Sequence, residues 1–132
     1  MATRTIRIFL VYADEDYKFR DIVVNQAKAV KLPVEFADMP AKQPWVPRWK
    51  AACRTRAFEC DAALVLISKK TRQATGINWE IECVLDTQMP VLCIYMEKCD
   101  KAAVPDDLHD SRLIDWNWPE VASFISSQGP KG

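Results

Sequence analysis

Short apolar runs alternate with amphipathic stretches along this 132-residue chain. The runs predict strands at 6–12, 34–37, 62–67, 91–95 and 112–115. Near-continuous apolar strands are typical of a parallel sheet that is covered on both faces. The alternation therefore predicts an α/β fold of three layers, with five parallel strands in the flavodoxin-like order 2-1-3-4-5.

Apolar residues recur at helical spacing between the predicted strands. We predict helices from about 14 to 31, from 47 to 60, from 77 to 88 and from 119 onward. Apolar residues make up 49% of the chain, which is enough for one domain with a sizeable core. We expect a single domain over 1–132, with its core over about 4–125 and a frayed tail at 126–132.

Charge and composition exclude several classes of partner. Eighteen basic and eighteen acidic side chains give no net charge, so bulk charge does not attract nucleic acid or an anionic membrane. No apolar run approaches the roughly 20 residues of a spanning helix, and no signal peptide precedes the first strand. We therefore expect a cytoplasmic protein. Five cysteines without a Cys-x-x-Cys motif and one histidine, His109, leave too few ligands to predict a metal site.

Glu80 is the strongest candidate for a catalytic side chain. It lies in the first turns of the third predicted helix, directly after the 62–67 strand. Ligands bind at this edge of an open α/β sheet. A helical wheel places Glu80 at the border of the apolar stripe, which is formed by Ile77, Ile81, Val84 and Leu85. The alternative role is that of an acid stabilised by the helix dipole.

The predicted crevice lies between strands one and three. The residues expected around it, besides Glu80, are Tyr12, Ala13, Asp14, Asp38, the 39–46 loop, Ser68 and Thr71. Trp45 and Trp49 could line a nucleotide cleft or could pack the loop onto the core. Arg48, Arg54 and Arg56 could contact a pyrophosphate or could form a solvated helix face.

Several of these side chains have a plainer alternative role. Tyr12 could stack on a ligand base or could be half-buried packing. Ser68 and Thr71 could bond a ribose or could end a strand. The acids at 14–16 suit a helix start. The chain has no glycine-rich phosphate loop, and no histidine is placed to serve a Ser or Cys nucleophile.

Seven segments, in this order and spacing, carry a resemblance to a known family. They are Ile8–Asp14, Phe36–Asp38, Trp49–Lys50 with Cys53–Arg56, Cys60–Thr71, Trp79–Ile81, Pro90–Tyr95 and Trp116–Trp118. Together they resemble the TIR domains. The resemblance is greatest to the stand-alone TIR-like family of bacteria and archaea that includes the TIR component of Thoeris anti-phage systems.

The resemblance implies an activity. Glu80 matches the glutamate of catalytic TIR domains, which cleave NAD⁺ at the nicotinamide–ribose bond and use it as a substrate, without a cofactor. The products would be ADP-ribose or a cyclic ADP-ribose-type signal for a downstream effector. The crevice residues, with Trp45, Trp49 and Trp79, would then bind the substrate. The 39–46 segment corresponds to the so-called BB loop, through which self-association is expected.

One departure from the family pattern bears on this activity. Many TIR enzymes carry a tryptophan four residues before the glutamate, where this chain has Gly76. Trp79, directly before Glu80, is typical of the TIR-like family instead. Two other readings therefore stay open. One is a non-catalytic interaction module, which Gly76 and the proline-rich loop favour. The other is a nucleoside N-glycosidase that also uses a glutamate.

Overall fold

Five parallel strands form one sheet in a computed structural model of the chain, which describes residues 5–39 and 42–128. The strands are β1 (Ile6–Val11), β2 (Val34–Ala37), β3 (Ala62–Ile67), β4 (Val91–Tyr95) and β5 (Arg112–Asp115). The helices are α1 (Tyr17–Ala29), α2 (Pro47–Phe58), α3 (Ile77–Asp86) and α4 (Trp118–Ser126). The predicted alternation of strands and helices is confirmed.

The strand order is β2-β1-β3-β4-β5, as the sequence predicts. Every neighbouring pair is parallel, and β1 pairs with β2 on one side and with β3 on the other. The chain therefore reverses its direction of winding between β1 and β3. Their carboxyl ends flank the crevice in which such sheets bind ligands.

Two helices cover each face of the sheet, which gives the three predicted layers. On one face, Phe9 and Val65 pack with side chains of α2 and α3, among them Ile81. On the other face, Leu10 and Leu64 pack with side chains of α1 and α4. All six residues of β3 are buried, because this central strand faces a helix layer on both sides.

Several helix boundaries differ from the prediction, for local reasons. Helix α1 ends at Ala29, and Lys31 has a left-handed backbone with φ of 54°. Helix α3 ends at Asp86, two residues before Gln88, which has φ of 60°. Helix α4 starts one residue early, at Trp118, because the Asn117 side chain accepts a hydrogen bond from the Glu120 N–H and caps it.

The polar segment between β4 and β5 is irregular, as predicted, with two short 3₁₀ turns at Lys101–Ala103 and Asp106–Leu108. Val104 and Leu108 of this segment are buried and pack in the core. Residue 4 of the predicted core, Pro40 and Ala41 of the predicted loop, and 129–132 of the predicted tail lie outside the described residues.

No helix within the described ranges has the length and apolar character needed to cross a membrane. Residues 5–39 and 42–128 also contain no group of three or more His, Cys, Asp or Glu side chains able to hold a metal ion.

Candidate functional site

Glu80 lies in the first turn of α3, at the carboxyl edge of β3, and its side chain is fully buried. Ile77, Ile81 and Val84 of the predicted stripe are buried around it. Leu85, predicted in the same stripe, is instead 36% exposed, and Cys83 takes the inward position. Glu80 thus lies inside the packed layer rather than at its border.

Lys42 is the partner of this buried carboxylate. Its ammonium Nζ donates to Glu80 Oε2 over 2.6 Å and to the backbone carbonyl of Tyr12 over 2.5 Å. The Lys42 side chain is only 1% exposed. Sequence analysis missed this residue, although a buried carboxylate requires a compensating charge and Lys42 is the cation of the 39–46 loop.

Burial raises the pKa of Glu80 to about 8, against the lowering effect of the Lys42 charge. The negative charges of Asp14 and Asp38 add to the rise. The second carboxylate oxygen, Oε1, is buried and accepts no hydrogen bond from the described residues. One oxygen of Glu80 is therefore held by a cation, and the other retains its capacity to accept a hydrogen bond.

Tyr12 and Asp38 form a second cluster at the ends of β1 and β2. The Tyr12 hydroxyl donates to Asp38 Oδ2 over 2.5 Å, and Arg20 Nε donates to the same oxygen over 3.3 Å. Arg56 donates to the Asp38 backbone carbonyl over 2.6 Å. Burial, together with Asp38, raises the pKa of Tyr12. Tyr12 is 8% exposed, which matches the packing alternative rather than an open stacking platform.

Ser68 and Thr71 lie at the carboxyl end of β3 and are both buried. The Ser68 hydroxyl donates to Asp16 Oδ2, and the Ser68 N–H donates to Thr71 Oγ1 over 2.8 Å. The polar groups of Ser68 and Thr71 thus bond to other groups of the protein where β3 ends. Ala13 is also buried, and Asp14 beside it is exposed at the same edge.

The three candidate tryptophans lie in different surroundings. Trp45 is 71% exposed, whereas Trp49 is 8% exposed. Trp79 is half-buried between the cations of Lys50 and Arg54, at 5.0 and 5.1 Å from its ring, and its Nε1 donates to the Lys50 carbonyl over 3.3 Å. Trp79 thus ties α3 to α2, outside the Lys42–Glu80 pair.

Gly76 allows Trp49 and Lys42 to approach the start of α3. Its φ of 81° is left-handed, and it precedes the first residue of the helix. A Cβ at this position would lie 3.2 Å from both Lys42 Cβ and the Trp49 ring. The space in front of Gly76, where many TIR enzymes carry a tryptophan side chain, is therefore filled by Trp49 and the stem of Lys42.

Cys53 is a further neighbour of Glu80. It is fully buried on α2. Burial raises the pKa of its thiol, and the nearby Cys83 and Glu80 add to the rise. The surroundings of Glu80 are therefore a thiol, an ammonium and hydrocarbon.

Two cavities flank the loop that carries Lys42. One, of about 500 Å³, lies towards α2 and has Met39 and Trp49 on its wall. The other, of about 350 Å³, lies beside Gly76 and Trp79. Glu80 lines neither cavity. Lys42 bridges its carboxylate to the Tyr12 carbonyl at the end of β1. The crevice predicted between β1 and β3 is thus closed by a side chain of the protein itself.

Comparisons with known proteins agree with this architecture. A family model described as the TIR-like domain of the Thoeris protein ThsB matches residues 10–101. The chain is similar to the TIR domain of the Toll-related receptor TRR-2 of Hydra magnipapillata, with 15% identity, a TM-score of 0.58 and 91% of each chain covered. It is also similar to a diflavin flavoprotein A3 of Nostoc sp., with 15% identity, a TM-score of 0.47, and 97% of this chain and 90% of that chain covered. The comparison with curated proteins gave no match.

Proposed function

Because the chain belongs to the family of Thoeris ThsB TIR-like domains, we propose that it cleaves NAD⁺ at the bond between nicotinamide and ribose. Glu80 is the catalytic residue of this proposal. The supporting observation is a carboxylate fully buried at the carboxyl edge of β3, with an ammonium 2.6 Å from one oxygen. Buried carboxylates with a shifted pKa concentrate at functional sites.

Cleavage of the nicotinamide–ribose bond requires little from the protein beyond the negative charge of a carboxylate. Nicotinamide leaves NAD⁺ as a neutral molecule, so no general acid is needed. As the bond breaks, positive charge develops on the ribose, and a carboxylate in a site without water stabilises it strongly. Glu80 supplies this charge in its deprotonated form, a larger share of the protein as the pH rises towards its pKa of about 8, and Oε1 can then accept a hydrogen bond from a ribose hydroxyl.

The ribose then reacts in one of two balanced ways. Water attacks C1′ and loses a proton, which gives ADP-ribose. Alternatively, an atom of the same molecule attacks C1′, which consumes no water and gives a cyclic ADP-ribose-type signal. Either product would reach a downstream effector in the cytoplasm, in anti-phage defence.

Lys42 must leave Glu80 before the substrate can enter, because its ammonium occupies the position that the ribose cation requires. The structure corresponds in this proposal to a closed, resting form. The ammonium and the developing ribose cation carry the same charge, so the one can replace the other beside Glu80. Substrate binding and withdrawal of Lys42 are therefore coupled.

Nicotinamide release from NAD⁺ tests the proposal. We expect release by the wild type, and faster release by Lys42→Ala, because this variant lacks the side chain that covers Glu80. Glu80→Gln should abolish release, whereas Glu82→Gln, on the exposed side of the same helix, should retain it. Parallel incubation with nucleosides tests the N-glycosidase alternative. Equal rates in the wild type and Glu80→Gln, or no release by the wild type and Lys42→Ala, would overturn the proposal.

A second candidate function is a TIR-like interaction module without catalysis. Two observations favour it. Lys42 already pairs with one carboxylate oxygen of Glu80, and the Trp45 ring is 71% exposed on the 39–46 loop. The partner would be a second copy that contacts this loop. Sedimentation at rising concentration should then show association in the wild type and less in Trp45→Ala. Phe58→Ala is the control, because Phe58 is 80% exposed on α2.

A further inference from the structure

The 500 Å³ cavity beside α2 has the size of a small-molecule site and lies apart from Glu80. Its apolar wall consists of Met39, Val46, Pro47, Trp49 and Ala52. Met39 and Trp49 are almost fully buried, so they form the floor. The floor suits a flat apolar group such as an aromatic ring.

Two guanidinium groups, of Arg48 and Arg56, stand at the exposed mouth of this cavity. Arg48 has no hydrogen bond or ion pair within residues 5–39 and 42–128. Arg56 uses one N–H for the Asp38 carbonyl. Among the described residues, no acidic side chain lines the cavity, so no carboxylate on its wall compensates the two guanidinium charges. Guanidinium groups bind phosphate through charge-assisted hydrogen bonds.

Two features of the residues that line this cavity leave hydrogen-bond donors without acceptors among the described residues. The indole Nε1 of Trp49 is buried and has no partner in the described parts of the chain. Helix α2 starts at Pro47, and its N-cap residue, Val46, makes no side-chain capping hydrogen bond. The first N–H groups of a helix have no acceptor within it, and they favour an anion.

We propose that this cavity binds a nucleoside phosphate, with the base on the Trp49 floor and the phosphate between Arg48 and Arg56. An inorganic phosphate would leave the apolar floor uncovered, and an uncharged nucleoside would leave both guanidinium groups unpaired. The wall of this cavity does not include Glu80, the proposed catalytic residue. Phosphate binding also gives a role to Arg48 and Arg56, which the proposal for NAD⁺ cleavage does not use.

Calorimetric titration of the Glu80→Gln variant with AMP tests the proposal. This background lacks the proposed catalytic carboxylate, and AMP has no nicotinamide bond, so the result does not depend on whether the chain cleaves NAD⁺. We expect AMP to bind more tightly than adenosine or inorganic phosphate. Arg48→Ala and Arg56→Ala should each weaken AMP binding by about tenfold, the effect of one lost charge-assisted hydrogen bond.

Arg54→Ala is the matched control, since Arg54 is an exposed arginine of the same helix that does not line the cavity. It should bind AMP as the parent does. Circular dichroism verifies that each variant is folded. Absence of AMP binding, equal affinity for phosphate alone, or equal loss in Arg54→Ala and the two cavity variants would overturn the proposal.

Discussion

The ammonium of Lys42 lies 2.6 Å from Oε2 of Glu80, although 38 residues separate the two in sequence. Neither side chain is exposed by more than 1%. The contact joins the 39–46 loop to the first turn of α3, and through the Tyr12 carbonyl it also reaches the end of β1. Three segments of the ligand edge therefore meet at one ammonium group.

A double-mutant cycle measures this contact. Lys42→Met should lower the free energy of unfolding by about 3 kcal/mol at pH 9, because it leaves a buried carboxylate without its cation. Lys42→Met with Glu80→Gln should be clearly more stable than Lys42→Met alone. Urea unfolding of all four proteins gives the coupling, which we expect to be about 2 kcal/mol. Additive losses would show that the two groups do not interact in solution.

The stability of the protein should depend on pH through Glu80. Burial raises its pKa from 4.5 in the unfolded chain to about 8. Between these values the folded state holds a proton that the unfolded state has lost, so this contribution to stability is complete below pH 4.5 and disappears as the pH rises to 8. Urea unfolding from pH 5 to 9 should show a loss of a few kcal/mol that is absent from Glu80→Gln. If the free energy of unfolding depended on pH in the same way in the wild type and Glu80→Gln, the raised pKa of Glu80 would be contradicted.

Gly76→Ala should destabilise the fold by about 1–3 kcal/mol. The new Cβ would sit on a left-handed backbone, 3.2 Å from Lys42 Cβ and from the Trp49 ring. Gln88→Gly is a control that should change stability in the opposite direction. Gln88 is exposed and has a left-handed backbone with φ of 60°, which glycine adopts without strain. Thermal unfolding should thus shift down in the first variant and slightly up in the second. An unchanged melting temperature in Gly76→Ala would contradict the close packing.

Tyr12→Phe should cost about 1–2 kcal/mol, because Asp38 loses the hydroxyl that donates to it over 2.5 Å. The backbone carbonyl of Tyr12 remains, so the Lys42 contact should persist. Tyr17→Phe, at a ring that is 65% exposed, serves as the control and should leave stability unchanged. Guanidinium unfolding compares the three proteins. Equal stability of Tyr12→Phe and the wild type would show that the Tyr12–Asp38 bond does not stabilise the folded protein.

Local patterns were sufficient to predict the sheet. The run at 62–67 is apolar without a break, which requires burial on both faces, and β3 has that environment. The same patterns placed Glu80 at the carboxyl edge of β3, since a strand followed by a loop and a helix leads there. The TIR fold followed from the order of the segments, and the similarity to the Hydra domain agrees with it.

Contacts between distant segments were beyond local patterns. The helical wheel placed Glu80 at a border, whereas in the fold it is fully buried and pairs with Lys42, which a local pattern does not relate to it. Trp45 and Trp49 allowed the same two interpretations, yet one is exposed and the other lies in the core, because the helix begins between them at Pro47. Whether each indole ring is buried or exposed depends on the path of the 39–46 loop, and tertiary packing sets this path.

The lysine that spans the cleft has a thermodynamic consequence for every molecule that competes for Glu80. Such a molecule binds only the fraction of chains in which the cleft is open, so its measured dissociation constant equals the intrinsic value divided by that fraction. Each 1.4 kcal/mol that the closed form gains over the open form weakens the measured affinity by about tenfold. A partner or a change of conditions that frees Lys42 would increase occupancy without a new contact to the incoming molecule.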